Sequence, residues 1–180
     1  MGRTCAALLC LFAASAQTPT WGADAPLARL KADLLAKPSA TQVLADWCAA
    51  RHMASPAVIH AMRDHATSKP PTPEIRALLK ARPDESLHYR RVRLACGSHV
   101  LSEADNWYRP SVLTSDMNKA LDETDTPFGT AVKPLNFHRK TLDARAAGKD
   151  HPLEIRALLL TPQDVPFSLV VEDYSAELVR

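Results

Sequence analysis

Residues 85–110 read ESLHYRRVRLACGSHVLSEADNWYRP and predict a β-hairpin. The apolar residues within 87–95 are typical of a strand, and Gly97-Ser98-His99 is a turn signal. Residues 100–108 then form the returning strand. We therefore expect this hairpin to lie at the centre of a sheet.

The first strand of this hairpin carries Arg90, Arg91 and Arg93. Successive side chains on a strand point to opposite faces, so Arg91 and Arg93 share one face and Arg90 lies on the other. An arginine on a buried face needs an anion, because its guanidinium cannot deprotonate and an unpaired buried charge is very costly. We take Arg91 to occupy the core position, with either a protein carboxylate or a ligand as its anion. An exposed cation that blunts a strand edge is the alternative.

Composition indicates one soluble globular domain. The chain has 180 residues, of which 46% are hydrophobic and 23% charged, and its net charge is +2. It contains no polybasic run, and this small charge argues against a nucleic-acid partner.

The N-terminus predicts a signal peptide over residues 1–23. Arg3 precedes an apolar segment at 5–16, and residues 14–16 or 21–23 would serve as a cleavage site. The segment is too short to span a membrane, so no stable insertion is expected after cleavage. We expect a single domain at 24–180, located in the periplasm or secreted. An apolar helix retained in the mature chain is the alternative.

Removal of residues 1–23 would leave Cys48 and Cys96 as the remaining cysteines. Disulfides persist outside the cytoplasm, so one bridge between them is possible. Two buried free thiols are the alternative.

The rest of the chain predicts an α+β fold, an antiparallel β-sheet with helices packed on one face. Residues 56–64 fit a helix or a strand equally well by pattern. The remaining predicted elements are helices at 26–37, 39–52, 73–80 and 114–121, strands at 132–137, 153–160 and 167–174, and a charged loop at 143–150.

Common signatures of metal and cofactor enzymes do not occur in the sequence. It contains no phosphate-binding loop, HExxH or CxxC motif, and its histidines lack metal-ligand spacing. We expect neither a metal nor a cofactor.

Several short motifs resemble the bacterial chorismate pyruvate-lyase family. The match runs without a gap from Glu85 to Pro110. Further matches are Leu44 to Trp47, Met53, Thr126-Pro127-Phe128-Gly129 and Glu154. The resemblance covers roughly residues 40–180 and implies the chorismate lyase-like fold. Effector-binding (UTRA) domains of bacterial transcription regulators share that fold.

The resemblance also implies a cofactor-free conversion of chorismate to 4-hydroxybenzoate and pyruvate. Arg91 falls on the family's carboxylate-binding arginine, Glu154 lies near its catalytic glutamate, and Met53 resembles a lid residue. Asn106 is a departure, because a glycine-arginine pair stands there in the lyases. A salt bridge between Arg91 and Glu154, with no ligand, is the alternative.

These observations leave two hypotheses for the function. The first is an exported chorismate lyase-like enzyme that uses Arg91 and Glu154. The second is a periplasmic binding module of the same fold, which takes a small aromatic or dicarboxylic acid without turnover. In both, the partner is a small molecule that carries a carboxylate.

Overall fold

The structure is a computed structural model that describes residues 25–180. The predicted signal peptide, residues 1–23, lies outside this part of the chain. Within residues 25–180, none of the helices combines the length and apolar character that a membrane span requires.

The described chain forms five α-helices and six β-strands. In chain order they are α1 (Ala25–Ala36), α2 (Ala40–Ala50), β1 (Ile59–Asp64), α3 (Pro73–Leu78), β2 (His88–Cys96), β3 (His99–Tyr108), α4 (Ser115–Glu123), α5 (Phe128–Ala131), β4 (His138–Ala146), β5 (Leu153–Leu160) and β6 (Pro166–Tyr174). Side chains of Ser39, Thr72 and Thr114 cap α2, α3 and α4, as residues of these types do at helix starts.

The six strands form one antiparallel sheet in the order β1-β2-β3-β6-β5-β4. The predicted hairpin is β2 and β3, and its turn uses Gly97 at a φ of 58°. That backbone conformation favours glycine because a side chain would be strained there. The predicted α+β class and the antiparallel sheet are confirmed.

The prediction of a strand at 132–137 was wrong. Residues 133–135 form a 3₁₀ turn, and the strand begins at His138, running into the segment predicted as a charged loop. Pro134 has no N–H to donate to a sheet. The observed strand, β4, lies at the sheet edge, where Lys140, Asp143 and Arg145 are exposed and protect the edge from further pairing.

The helices cover the two faces of the sheet unequally. On the inner face, α1 and α2 pack over Val92, Leu94 and Ile155, and α4 and α5 extend the layer beside Tyr108 and Leu159. On the outer face, α3 buries Ile75 and Leu79 against Trp107, Leu158 and Leu169. We predicted that the helices pack on one face of the sheet. α3 is the exception, because its apolar side chains pack against the apolar residues Trp107, Leu158 and Leu169 of the outer face.

A disulfide joins Cys48 of α2 to Cys96 of β2, with a Cα–Cα distance of 6.5 Å and both residues fully buried. It links residues 48 apart in the sequence. In the chain-entropy picture, closing a loop of that length stabilises the fold by about 4 kcal/mol. The bridge also holds α2 against the inner face of the sheet.

A buried ion pair joins the two ends of the 85–110 segment. Arg109 donates to Glu85 through Nε at 2.8 Å and Nη2 at 3.1 Å, and Ser111 donates to the same carboxylate at 2.6 Å. The Glu85 side chain is 5% exposed. The Arg109 guanidinium, helped by Ser111 and opposed by burial, lowers the pKa of Glu85 to about 2.

We predict that Glu85→Gln lowers the free energy of unfolding by about 3 kcal/mol at pH 7. The folded-state pKa lies below the unfolded value, so this stabilisation is present above about pH 4.5 and is lost as the pH falls toward 2. Urea unfolding from pH 7 to pH 2.5 measures it.

The matched control is Glu74→Gln, because Glu74 pairs with Arg156 but is 65% exposed. Its effect should stay below about 1 kcal/mol. A Glu85→Gln loss that did not change with pH would contradict the assignment of the low pKa to the Glu85 carboxyl.

Candidate functional site

Arg90 is the arginine that β2 buries beneath the helices. It lies on the inner face with Val92 and Leu94, and it is 4% exposed. Its Nη2 donates to the backbone carbonyl of Thr126 at 3.1 Å. Burial lowers the pKa of Arg90 to about 10, with a further contribution from Arg63, so the guanidinium stays charged at neutral pH.

Two of the three guanidinium nitrogens of Arg90 have no protein partner in the described part of the chain. Nε and Nη1 are buried and form no hydrogen bond there. The charges of Asp122 and Asp125 raise the pKa of Arg90, but neither carboxylate forms an ion pair with Arg90 in the described part of the chain. A buried cation with unpaired N–H groups is costly, so this side chain is the candidate binding position.

Asn106 lies directly opposite Arg90 on β3, and it is also 4% exposed. Ser168 of β6 donates a hydrogen bond to the amide oxygen of Asn106. That bond turns the amide NH₂ toward other partners, so Asn106 supplies a neutral donor next to Arg90. Asn106 and Arg90 line the same cavity, which lies between the sheet and the start of α2, and Asn106 is the predicted site residue found there.

A second buried arginine, Arg139 of β4, is already neutralised. It forms an ion pair with Glu172, which also accepts a hydrogen bond from the Tyr174 hydroxyl at 2.9 Å. Burial opposes the charge on Arg139, but Glu172 raises the pKa of Arg139 above its ordinary value. Burial and Glu172 both raise the pKa of Tyr174, which keeps the phenol protonated as a donor.

The roof of the cavity is the start of α2 and the start of α5. Ser39 and Thr41 line it from α2, and Phe128 and Gly129 line it from α5. A Cβ at Gly129 would come within 3.1 Å of Thr41 Oγ1 and 3.2 Å of Ser39 Oγ. Glycine at this position therefore permits the close approach of the two helices above the sheet.

The cavity at Arg90 is small and partly open, and it adjoins a larger groove. The cavity has a volume of about 40 Å³, and the groove about 880 Å³. Both are lined by Pro38, Ser39, Thr41, Gly129 and Phe137. These shared walls place the groove directly beside the cavity that holds the Arg90 guanidinium.

Arg91 lies on the outer face of the sheet, away from this cavity. It pairs with Asp105 at 3.0 Å, with Glu103 at 2.6 Å and with Asp64 at 3.8 Å. Lys69 also pairs with Asp105. We predicted that Arg91 would occupy the core position, but Arg90 is the buried arginine. Protein carboxylates balance the charge of Arg91.

Glu154 also lies on the outer face, where it pairs with Arg145 at 2.7 Å. The ion pairs of Arg91 and Glu154 involve other residues, so the salt bridge considered between these two is absent. Asp173 stands opposite Glu154 on β6, and burial together with the negative charge of Glu154 raises the pKa of Asp173. The structure thus does not bring Glu154 to the buried cavity.

Met53 packs against the core beneath α2 and does not line the cavity. Its backbone N–H donates to the carbonyl of Cys48, just after the helix ends. Residues 25–180 contain no cluster of three or more His, Cys, Asp or Glu side chains that could hold a metal ion.

Sequence reasoning missed Arg90 and the Arg139–Glu172 pair. A signal for Arg90 was present, because Val92 and Leu94 share its strand phase. Arg139 and Glu172 belong to different strands, and no local pattern indicates that their side chains meet.

Solved structures with the same fold are effector domains of bacterial transcription regulators. The effector domain of PhnF from Mycobacterium smegmatis aligns with a TM-score of 0.56 at 6% identity, over 78% of this chain and 90% of that one. The possible transcriptional regulator YydK of Bacillus subtilis aligns with a TM-score of 0.50 at 14% identity, over 68% of this chain. This chain spans 60% of the length of YydK. The fold is therefore the one that UTRA domains share with chorismate lyase.

The family of this chain is shown by a relative with a similar sequence. The uncharacterized protein y4mC of Sinorhizobium fredii is 41% identical over an alignment of 175 residues, which covers 84% of this chain and 74% of that protein. The chain belongs to the same family as y4mC. No family model matches the sequence.

Proposed function

We propose that this chain is a binding module for a small organic acid, whose carboxylate is held by Arg90 in the cavity between the sheet and the start of α2. The observation that carries the proposal is the buried guanidinium of Arg90 with Nε and Nη1 unpaired. A carboxylate supplies the missing charge and accepts a hydrogen bond from one of these nitrogens, since Nε and Nη1 lie on different edges of the guanidinium.

The charge of the cavity favours a singly charged anion. Arg139 and Glu172 neutralise each other, which leaves Arg90 as the buried charge without a partner among the described residues. A second negative group beside Glu172 would be repelled in this low-dielectric site. The amide of Asn106 offers a hydrogen bond without adding charge.

We predict that Arg90→Gln abolishes binding of monocarboxylic acids and that Arg91→Gln preserves it. Benzoate, 4-hydroxybenzoate and hexanoate serve as probes, and the melting temperature of each variant reports binding. Ligand at a hundredfold excess over its dissociation constant adds about 2.7 kcal/mol of stability. Without ligand, Arg90→Gln should be at least as stable as the wild type, because it removes an unpaired buried charge.

The Arg90→Gln and Arg91→Gln variants are a matched pair, because both remove an arginine but from opposite faces of the sheet. An acid that stabilised Arg90→Gln as strongly as the wild type would overturn the proposed site. A response lost in Arg91→Gln but kept in Arg90→Gln would move the site to the outer face.

Turnover of chorismate is the more specific function that the lyase resemblance implies. The cavity offers no free carboxylate for proton transfer, because Glu172 is bound by Arg139 and Tyr174. Glu154 faces the opposite side of the sheet and pairs with Arg145. A general acid or base must reach the proton that it transfers, so we favour binding without catalysis.

We predict that the purified protein forms no 4-hydroxybenzoate or pyruvate from chorismate above the spontaneous rate. Absorbance and mass spectrometry measure both products. Formation that disappears in Glu154→Gln would restore the lyase hypothesis. Formation that disappears only in Glu172→Gln would place the chemistry in the Arg90 cavity.

Export from the cytoplasm is part of this proposal. A buried disulfide between Cys48 and Cys96 suits an oxidising compartment, where such bonds persist. We predict that protein recovered from producing cells has lost residues 1–23, and the intact mass of the mature chain measures this. A mass that includes residues 1–23 would argue against cleavage there.

A further inference from the structure

The Arg90 cavity is too small to enclose an aromatic ring. A site needs roughly 10–15 Å³ to hold one water, and a cavity of roughly 150 Å³ binds benzene. The volume of about 40 Å³ at Arg90 lies between these values. It admits a carboxylate group, so the remainder of any ligand must lie outside it.

The space outside the cavity is the adjoining groove, and its walls are largely apolar. They include Ala45 of α2, Ile59 of β1 and Phe137. Val58, also in the groove, is 59% exposed, the most exposed of the large hydrophobic side chains in residues 25–180. An apolar surface open to water beside a charged pocket is typical of a site for an amphipathic ligand.

The charges around the groove favour a ligand body that carries no charge. Lys37 pairs with Asp46 at 2.7 Å. Lys133 and Asp125, of opposite sign, both line the groove. Counted together with Asp46, these Lys and Asp side chains carry no net charge, and His60 also lines the groove.

We propose that the ligand is an elongated amphipathic monocarboxylic acid, with its carboxylate at Arg90 and an uncharged apolar chain along the groove past Val58. This inference rests on the proposed binding function and narrows its ligand class. Compact acids make the head-group contact alone, and longer acids add apolar contact in the groove.

The experiment measures dissociation constants of the wild-type protein for straight-chain acids from butanoate to decanoate, below their micelle concentrations. Affinity should rise by up to about fourfold for each methylene that the groove buries. Decanol, which has the chain without the charge, should bind far more weakly than decanoate. Arg90→Gln should abolish binding of every acid in the series.

Val58→Asp tests the groove separately from the head-group site. It should remove most of the gain with chain length, and so weaken decanoate binding far more than butanoate binding. Val165→Asp is the matched control, since Val165 is 38% exposed and does not line the groove. It should leave the length dependence as in the wild type.

The possible outcomes separate the acid-binding function from the amphipathic ligand. Binding that depends on Arg90 but not on chain length would overturn the amphipathic ligand and leave the acid-binding function. Failure of every acid to bind would overturn both. Sedimentation that showed a dimer dissociated by Val58→Asp, without length dependence, would assign the groove to a second copy of this chain.

Discussion

The alternation of side chains along β2 is the constraint on which the site depends. Arg90 and Arg91 are adjacent, so one must point under the helices and the other away from them. The inner position leaves Arg90 buried with two unpaired nitrogens, while the outer position surrounds Arg91 with carboxylates. A shift of one residue in strand phase would exchange these roles and remove the candidate site.

The cavity exists because several elements fix the layer above Arg90. The disulfide holds α2 against β2, and Gly129 allows α5 to approach the start of α2 closely. Below them, the Arg139–Glu172 pair occupies the neighbouring part of the inner face without adding net charge. The result is a small cavity in which the guanidinium of Arg90 is buried without a carboxylate partner among the described residues.

The fold and the site carry different information about function. The fold is shared with effector domains of transcription regulators, and the same architecture hosts binding in some proteins and chemistry in others. The carboxylate-binding Arg91 and the acid/base Glu154 expected from the lyase resemblance both lie on the outer face, within separate ion pairs. The distribution of buried charge therefore favours recognition of an acid over its conversion.

Much of the fold could be predicted from local patterns. Alternating apolar residues and turn residues predict the hairpin at 85–110 and the strands β5 and β6. The residue types at helix starts predict the caps at Thr72 and Thr114. All of these signals act between near neighbours in the sequence. β4 was missed because an edge strand needs little apolar sequence, and its charged residues are also typical of a loop. Nothing in the local pattern placed α3 on the outer face.

The sequence by itself determined that Arg90 and Arg91 lie on opposite faces of β2, so that covering one face of the sheet buries only one of them. Only the tertiary structure decided which one. The apolar residues Leu87 and Tyr89 pack on the outer face near α3, whereas Val92 and Leu94 pack on the inner face, so the apolar pattern changes phase within the strand. Because each face is covered over a different part of β2, the burial of Arg90 depends on where distant helices pack.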